Sequence, residues 1–237
     1  ALEESHRHNP YGIATTAAAK DGGFEISGEK TFVLDGNVAD KFVVVARTSG
    51  NAGDRDGLSL FLVDSSSDGV TVSRTKMADS RNAANVSFSS VKVGADALIG
   101  TQDQGADVLD ATLDIGRIGI AAEMLGSLQE CFERTVQYLK EREQFGVPIG
   151  SFQALKHRAA DMFCEVELSK SCVLEALSAL DEGRSPEEVA KLASLTKTKV
   201  GETFHQVSRE GVQMHGGIGM TDEFDIGFFL KRAAVTE

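Results

Sequence analysis

Residues 152–180 read FQALKHRAADMFCEVELSKSCVLEALSAL, and the spacing of their apolar side chains indicates one long helix. The steps alternate between three and four residues, which places these side chains along a single stripe. Such a stripe suits packing against near-antiparallel neighbours, so the segment predicts a helical bundle. The stripe consists of Phe152, Leu155, Ala159, Met162, Val166, Ser169, Val173, Ala176 and Leu180.

Patterns on both sides of this segment predict three more helices. Residues 106–142 carry apolar side chains at the same steps. The sequence SPEE at residues 185–188 combines an N-cap serine, a proline at the first helical position and the glutamate of a capping box. This third helix should end at residues 216–217, and a fourth should begin near Thr221. Short loops join the helices, so residues 101–237 are expected to form an up-and-down four-helix bundle.

The first hundred residues follow a different pattern. Short runs rich in β-branched and aromatic residues alternate with turn sequences such as DGG at residues 21–23. No helical period separates them, so residues 1–100 are expected to form an antiparallel β sandwich or barrel, and the fold class is α+β multidomain. The strand candidates are residues 24–34, 41–49, 57–64, 69–76 and 84–92.

A hairpin is expected within residues 24–34. A two-residue turn at Gly28-Glu29 would place Phe32 on the more polar face of this hairpin. A large aromatic residue on that face needs a partner, which packing under the next domain would supply. The polar face would also carry Leu34, Glu25 and Lys30, and the apolar face would carry Phe24, Ile26, Thr31 and Val33.

Composition and charge exclude several classes of function. The 36 acidic residues exceed the 24 basic ones, which disfavours a nucleic-acid or anionic-membrane binder. No apolar run approaches the roughly 20 residues that cross a bilayer, and no signal peptide is visible, so a soluble cytoplasmic protein without membrane insertion is expected.

The cysteines Cys131, Cys164 and Cys172 lack CxxC spacing and are expected to be reduced, buried thiols. The histidines lack metal-site spacing, and no metal site is predicted.

Three motifs are candidates for function. Arg142 opens REQFGVPI just before the second long helix, where a guanidinium and free helix amides could bind phosphate oxygens. The alternative is an arginine that interacts with the dipole of its own helix. The sequence QMHGGIGM at residues 213–220 follows a helix, so its glycines suit a helix exit or close backbone approach rather than a dinucleotide fingerprint. Arg117 lies in an apolar helical run, either paired with Asp114 or lining a substrate cavity.

The order of these motifs resembles the acyl-CoA dehydrogenase family. A strand ends with Phe32-Val33-Leu34-Asp35-Gly36, and LDIGR at residues 113–117, the REQFGVPI motif with Phe152-Gln153, and residues 213–219 follow. The resemblance covers essentially the whole chain. It implies the family's middle β domain and its C-terminal four-helix domain, without the family's N-terminal helical domain.

The resemblance also implies FAD as the cofactor and an oligomeric assembly. Phe32 stands where the family has an aromatic residue, usually Trp, beside the isoalloxazine ring, and Leu34 stands where Thr or Ser is frequent. The remaining FAD contacts would reach a neighbouring subunit, which implies a homo- or hetero-oligomer, either a dimer or a dimer of dimers. These residues are Arg142, Phe145 and Gln153, with Gln213, Gly216 and Gly217 approaching the adenosine end.

The reaction that the resemblance implies is α,β-dehydrogenation of an acyl-CoA thioester, with Arg117 on the substrate side. A carboxylate removes the α-proton while the β-hydrogen leaves as hydride, and an electron-transfer flavoprotein accepts the electrons. In most members the base would lie about three positions beyond Glu237, and the alternative position falls at Gly116. No residue of this chain is therefore named as the base. The chain also departs from the family at residues 5–10 and at residues 231–232, where Lys-Arg replaces Arg-Asp.

Three functions are compatible with these features. The leading one is an FAD-dependent acyl-CoA dehydrogenase. The second is a catalytically silent subunit that completes a partner's FAD site with Arg142, Phe145 and Gln213, and the departures at Leu34 and Gly116 favour it. The third is a scaffold without a cofactor. A glutamate at the third position after Glu237 would favour the enzyme, and a copurifying flavin would eliminate the scaffold.

Overall fold

The structure, a computed structural model, describes residues 1–77 and 81–236. The chain divides into two compact units, Ala1–Asp110 and Ala111–Glu237, with the boundary inside the first long helix. The first unit is built on a mixed β-sheet and the second on helices, which confirms the expected α+β fold. In the described part of the chain, no helix has the length and apolar character to span a membrane.

The described residues of the first unit form one seven-stranded sheet. Its strands are β1 (Thr16–Lys20), β2 (Gly23–Leu34), β3 (Lys41–Arg47), β4 (Leu58–Asp64), β5 (Val70–Lys76), β6 (Asn82–Gly94) and β7 (Leu98–Ile99). Their order is β5-β6-β2-β1-β3-β4-β7, and every pairing is antiparallel except that of β1 with β3. β1 and β7 are absent from the predicted strands, because alanine has a weak strand preference and β7 has only two residues.

One face of the sheet forms the core of the first unit. Side chains alternate between the two faces of a strand, so β2 and β3 bury Ile26, Val33 and Val44 while Phe32 and Val43 are exposed. The buried set is Ala17, Phe24, Ile26, Val33, Phe42, Val44, Ala46, Phe61, Val63, Ala84, Val86, Phe88 and Val91.

The hairpin expected at Gly28-Glu29 is wrong. β2 continues through these residues and pairs with β1 on one side and with β6 on the other. Gly28 is required for close approach instead, because a Cβ there would lie 2.6 Å from Thr15 Cα, and its φ is +150°. Lys30, expected on the polar face, is fully buried and forms an ion pair with Glu4.

Four α-helices are present in the described residues of the second half of the chain. They are α1 (Gly105–Glu141), α2 (Gln153–Asp181), α3 (Pro186–His215) and α4 (Ile226–Thr236). The predicted capping box is confirmed, because Ser185 Oγ accepts from the Glu188 N–H and the Glu188 carboxylate accepts from the Ser185 N–H. The stripe predicted on α2 contributes Met162, Val166 and Val173 to the core of the second unit.

Two expectations for the helical unit are wrong. α4 begins at Ile226 rather than near Thr221, because Gly216–Met220 form 3-10 helix and Phe224 then packs edge-on against the ring of Tyr138. The cysteines are not uniformly buried, since Cys164 is exposed and Cys172 is half-buried. Only Cys131 is fully buried, and burial raises the pKa of its thiol to about 12.

Candidate functional site

A short hairpin projects from the end of α1. Its strands, β8 (Glu143–Gln144) and β9 (Val147–Pro148), pair on either side of Phe145-Gly146. The φ angles of these two central residues are 57° and 76°, the left-handed values that a type I′ turn requires. The Ile149 N–H donates to the Arg142 carbonyl at 2.7 Å and closes the base of the hairpin. The motif that begins at Arg142 is therefore an ordered element.

The ring of Phe145 is presented almost entirely to solvent. It is 92% exposed, and its only aromatic contact among the described residues is the edge of Phe152, with centroids 6.0 Å apart. A bulky aromatic residue at positive φ is an uncommon and unfavourable choice for a turn. Backbone strain combined with a large exposed ring is typical of a residue that serves a binding partner.

The N-terminus of α2 lies directly after this hairpin and is free of side-chain caps. Its N-cap residue Phe152 offers no side-chain hydrogen bond, and its first turn contains no acidic residue. By contrast, α3 is capped by Ser185 and carries two glutamates in its first turn. The Leu155 and Lys156 amides donate to the Phe152 carbonyl, so among the described residues the Gln153 and Ala154 amides are left for an anion. Arg142 is exposed in the hairpin that precedes this turn. This arrangement fits the phosphate-binding interpretation of the motif.

The glycine motif forms the exit of α3. Gly216 has φ 67° and ψ −143°, a conformation that is essentially restricted to glycine. No protein atom lies within 4 Å of the position that a Cβ of Gly217 would take, so its backbone is open to close approach. Gln213 is exposed, whereas Met214 and His215 are buried. The turn thus presents backbone and one amide side chain outwards.

Tyr138 connects the glycine motif to the hairpin. Its hydroxyl donates to the His215 carbonyl at 3.2 Å, and its own carbonyl accepts from the Arg142 N–H at 2.8 Å. The rings of Tyr138 and His215 stack with centroids 4.2 Å apart. The helical residues that were predicted to contact FAD therefore lie at one end of the helical unit. They are Arg142, Phe145, Gln153, Gln213, Gly216 and Gly217.

A cavity of about 340 Å³ opens at the same end. Tyr138, His215 and Phe224 supply its aromatic wall, and none of the three was a candidate from the sequence. Two features of the sequence could have pointed to this wall. Tyr138 lies one helical turn before Arg142, and His215 lies inside the glycine motif. The charged residues that line the cavity are Arg134, Glu141, Glu223 and Asp225.

His215 is a buried titratable group in this cluster. Its Nδ1 lies 2.7 Å from the Gly211 carbonyl oxygen, so Nδ1 carries the proton of the neutral ring. Burial lowers the pKa of His215 below its ordinary value of 6.5, more than this hydrogen bond raises it. The folded state therefore binds fewer protons than the unfolded state just below pH 6.5.

Acidification should destabilise the helical unit through His215. Because the pKa is lowered on folding, the stability is present above about pH 6.5 and is lost as the pH falls towards the folded pKa. His215→Phe keeps the aromatic stack and removes the titration. Denaturant unfolding between pH 7 and pH 5 should therefore show a shallower loss of stability in the variant. Parallel pH profiles for the two proteins would contradict this prediction.

In the first unit, Phe32 lies at an irregularity of β2. Its φ is +54°, and its side chain is half exposed on the face opposite the core. Leu34, two residues further along, is 68% exposed on the same strand. Both side chains therefore stand where the sequence placed them, on the outer face, although the cause is a bulge and not a hairpin.

Arg117 forms an ion pair with Asp114, which was one of the two interpretations of this residue. Its guanidinium donates to Asp114 Oδ1 at 2.7 Å, and about a third of its side chain is exposed. The neighbouring Gly116 is exposed and carries no side chain that could act as a base. Among residues 1–77 and 81–236, no group of three or more His, Cys, Asp or Glu side chains could hold a metal ion.

Two family models match almost the whole chain. Residues 103–237 match the C-terminal domain of acyl-CoA dehydrogenase, and residues 2–91 match its middle domain. An acyl-CoA dehydrogenase of Bacillus subtilis is 31% identical over 241 residues, which cover 100% of this chain and 62% of that protein. The caffeyl-CoA reductase-Etf complex subunit CarC of Acetobacterium woodii is 33% identical over 91% of this chain and 56% of its own length.

A solved structure has the same fold. Butyryl-CoA dehydrogenase from Megasphaera elsdenii superposes with a TM-score of 0.92 at 28% sequence identity. The match covers 99% of this chain and 62% of the butyryl-CoA dehydrogenase chain. The chain thus spans less than two thirds of the length of each of these three relatives.

Proposed function

The chain belongs to the acyl-CoA dehydrogenase family, and on that premise we propose that it is part of an FAD-dependent enzyme that α,β-dehydrogenates an acyl-CoA thioester. One observation carries this proposal. The six helical residues expected at the FAD lie together at one end of the helical unit, beside an uncapped helix N-terminus and an exposed aromatic turn. These groups suit the phosphates of a dinucleotide and the close approach of a ligand to the backbone.

The residues fit the chemistry of FAD. Arg142 and the first amides of α2 would bind diphosphate oxygens, because a guanidinium and a helix N-terminus both favour anions. The bare backbone of Gly216-Gly217 and the amide of Gln213 would approach the adenosine end. Phe32 would pack beside the isoalloxazine ring, which gives its half-exposed side chain a partner. When bound, FAD accepts the β-hydrogen of the substrate as a hydride.

The two units would serve different protomers. Residues 1–100 would form the flavin and substrate side of one site, and Arg142, Phe145 and Gln153 of the helical domain, residues 101–237, would complete the site of a neighbouring subunit. Phe145 supports this arrangement, because a ring that is 92% exposed would gain packing against a neighbouring subunit. A dimer or a dimer of dimers would satisfy it, and Arg117 would lie on the substrate side.

The relatives favour an enzyme over the silent subunit. Their names include both dehydrogenases and a caffeyl-CoA reductase, which are the two directions of one hydride transfer. The reductase is named as a subunit of an Etf complex, which supports an electron-transfer flavoprotein as the electron partner of this protein as well. We propose a cytoplasmic location for the enzyme.

Anaerobic titration of the intact gene product with acyl-CoA thioesters tests the function. The purified protein should be yellow, and a saturated thioester of suitable chain length should bleach the visible flavin band as the enoyl product forms. Free CoA is the control and should leave the band unchanged. A flavin-containing protein that no acyl-CoA bleaches would contradict the dehydrogenase assignment, and a colourless protein would contradict the FAD site itself.

A further inference from the structure

The backbone around Phe32 departs from the regular pairing of β2 with β6. Lys30 pairs with Val86 and Val33 pairs with Ala84, so Thr31 and Phe32 on β2 face only one residue on β6. Two residues opposite one define a β-bulge, and bulges redirect side chains next to functional sites. The facing residue is Asn85.

Asn85 replaces the hydrogen bond that the bulge removes from the ladder. Its Oδ1 accepts the Phe32 N–H at 3.2 Å. A backbone N–H can only donate, so the amide of Asn85 must present its oxygen and not its nitrogen to Phe32. On the neighbouring residue, the Thr31 N–H donates to the Glu3 carbonyl at 2.7 Å. Both amides of the bulge are thus bonded by groups outside the β2–β6 ladder.

This bond holds a conformation that the backbone would otherwise leave. Phe32 has a φ of +54°, in the left-handed region that bulky side chains rarely occupy. The left-handed residue turns the Cα–Cβ bond away from the direction that the pleat would give it. The result is that Phe32 is half exposed while the next residue, Val33, is buried in the core.

We infer that Asn85 is a positioning residue, which fixes the angle at which Phe32 presents its ring to the isoalloxazine. The inference rests on the proposed function, since it requires that a flavin lies against Phe32. Asn85 acts through the peptide plane that precedes Phe32, and it needs no contact with the flavin. Removal of its oxygen frees the Phe32 amide, and the residue relaxes towards an extended conformation with its ring turned from the bound position.

The surroundings of Asn85 supply a matched control. Asn85 borders a shallow cavity of about 200 Å³ on the outer face of the sheet, together with Thr71, Ser73 and Ser87. Ser87 lies two residues along the same strand and therefore on the same face. It donates no hydrogen bond to the bulge. Because Asn85 is exposed, its replacement opens no internal cavity.

The test compares Asn85→Ala, Asn85→Asp and Ser87→Ala in the intact gene product with bound FAD. In Asn85→Ala, hydrogen exchange at the Phe32 amide should be about fivefold to tenfold faster. The visible flavin band should shift in the same direction as in Phe32→Ala. Asn85→Asp retains an acceptor oxygen, so exchange at the Phe32 amide should be as slow as in the wild type. The carboxylate adds a charge that can itself shift the flavin band, so this variant is judged by exchange alone. Ser87→Ala should change neither readout.

The outcomes separate this inference from the function on which it rests. A wild-type protein that retains no flavin overturns both. A flavin-containing wild type in which Asn85→Ala leaves either the exchange rate or the flavin band unchanged overturns the positioning role alone. Fast exchange in Asn85→Asp also overturns it, because the acceptor oxygen would then have no part in the bond.

Discussion

Lys30→Met should lower the free energy of unfolding by about 3 kcal/mol, because it leaves the largely buried carboxylate of Glu4, whose side chain is 13% exposed, without its cation. Lys30 is fully buried, and its Nζ lies 2.7 Å from Glu4 Oε1 and 3.2 Å from the Leu2 carbonyl oxygen. Burial lowers the pKa of Lys30 although Glu4 opposes the shift, so desolvation of the ammonium is only partly offset. Denaturant unfolding measures the loss.

Two comparisons identify the cause of that loss. Adding Glu4→Gln to Lys30→Met removes the unpaired charge and should recover about half of the stability. The recovery is partial because Ala14 and Thr15 donate their N–H groups to separate oxygens of Glu4, and the single amide oxygen of glutamine can accept only one of them. Lys20→Met breaks an exposed ion pair with Glu25 in the same sheet and should change stability by less than about 1 kcal/mol. Equal losses in Lys30→Met and Lys20→Met would contradict the importance of burial.

Arg142→Ala should weaken FAD binding by roughly tenfold to a hundredfold, the range expected when charge-assisted hydrogen bonds to phosphate are lost. Arg142 is exposed at the base of the hairpin that precedes α2, a helix whose N-terminus has no side-chain cap. The fold should therefore survive, with an unchanged melting temperature for the flavin-free protein. Fluorescence titration of the apoprotein with FAD gives the dissociation constant.

Lys140→Ala is the matched control for Arg142→Ala. Lys140 is an exposed cation two residues earlier, in the last turn of α1, so its replacement removes the same net charge from the same region. FAD affinity should fall much less in Lys140→Ala than in Arg142→Ala. Similar losses in the two variants would mean that Arg142 acts only through the general field of the surface.

The helices were predictable because their signals are local. The helix predicted from the stripe and the box at Ser185 depend on residues that are close in sequence, and both are confirmed, although Phe152 at the start of the stripe is exposed. The start of α4 was not predictable, because Phe224 makes an aromatic contact with Tyr138, a residue far away in the chain. Tertiary packing there extends the turn before the helix.

The course of β2 could not be read from its own residues. Gly28-Glu29 is a plausible turn in isolation, yet Thr15 packs against Gly28 and Glu4 neutralises Lys30, so the chain continues straight through. The exposure of Phe32 was expected from alternation, but its positive φ and the hydrogen bond of its N–H to Asn85 of β6 are findings of the structure. Long-range partners of this kind leave no periodic signal in the sequence.

In the candidate site, too, features with a local signal were predictable, and features that depend on long-range contacts were not. Arg142 and the glycines at 216–217 stood out because their residue types suit anion binding and helix exits. Tyr138 and His215 resembled ordinary helical positions, and only the stacked geometry reveals that they join α1 to the exit of α3. Phe145 was a candidate by resemblance, while its left-handed turn and near-complete exposure are findings of the structure.

Native mass spectrometry of the intact gene product tests the shared FAD site most directly. If one protomer supplies Phe32 and another supplies Arg142 and Phe145, every species that carries FAD should contain an even number of protomers, with one FAD per protomer. Dilution or mild activation that releases monomers should release FAD with them. A monomer that retains FAD would contradict the account.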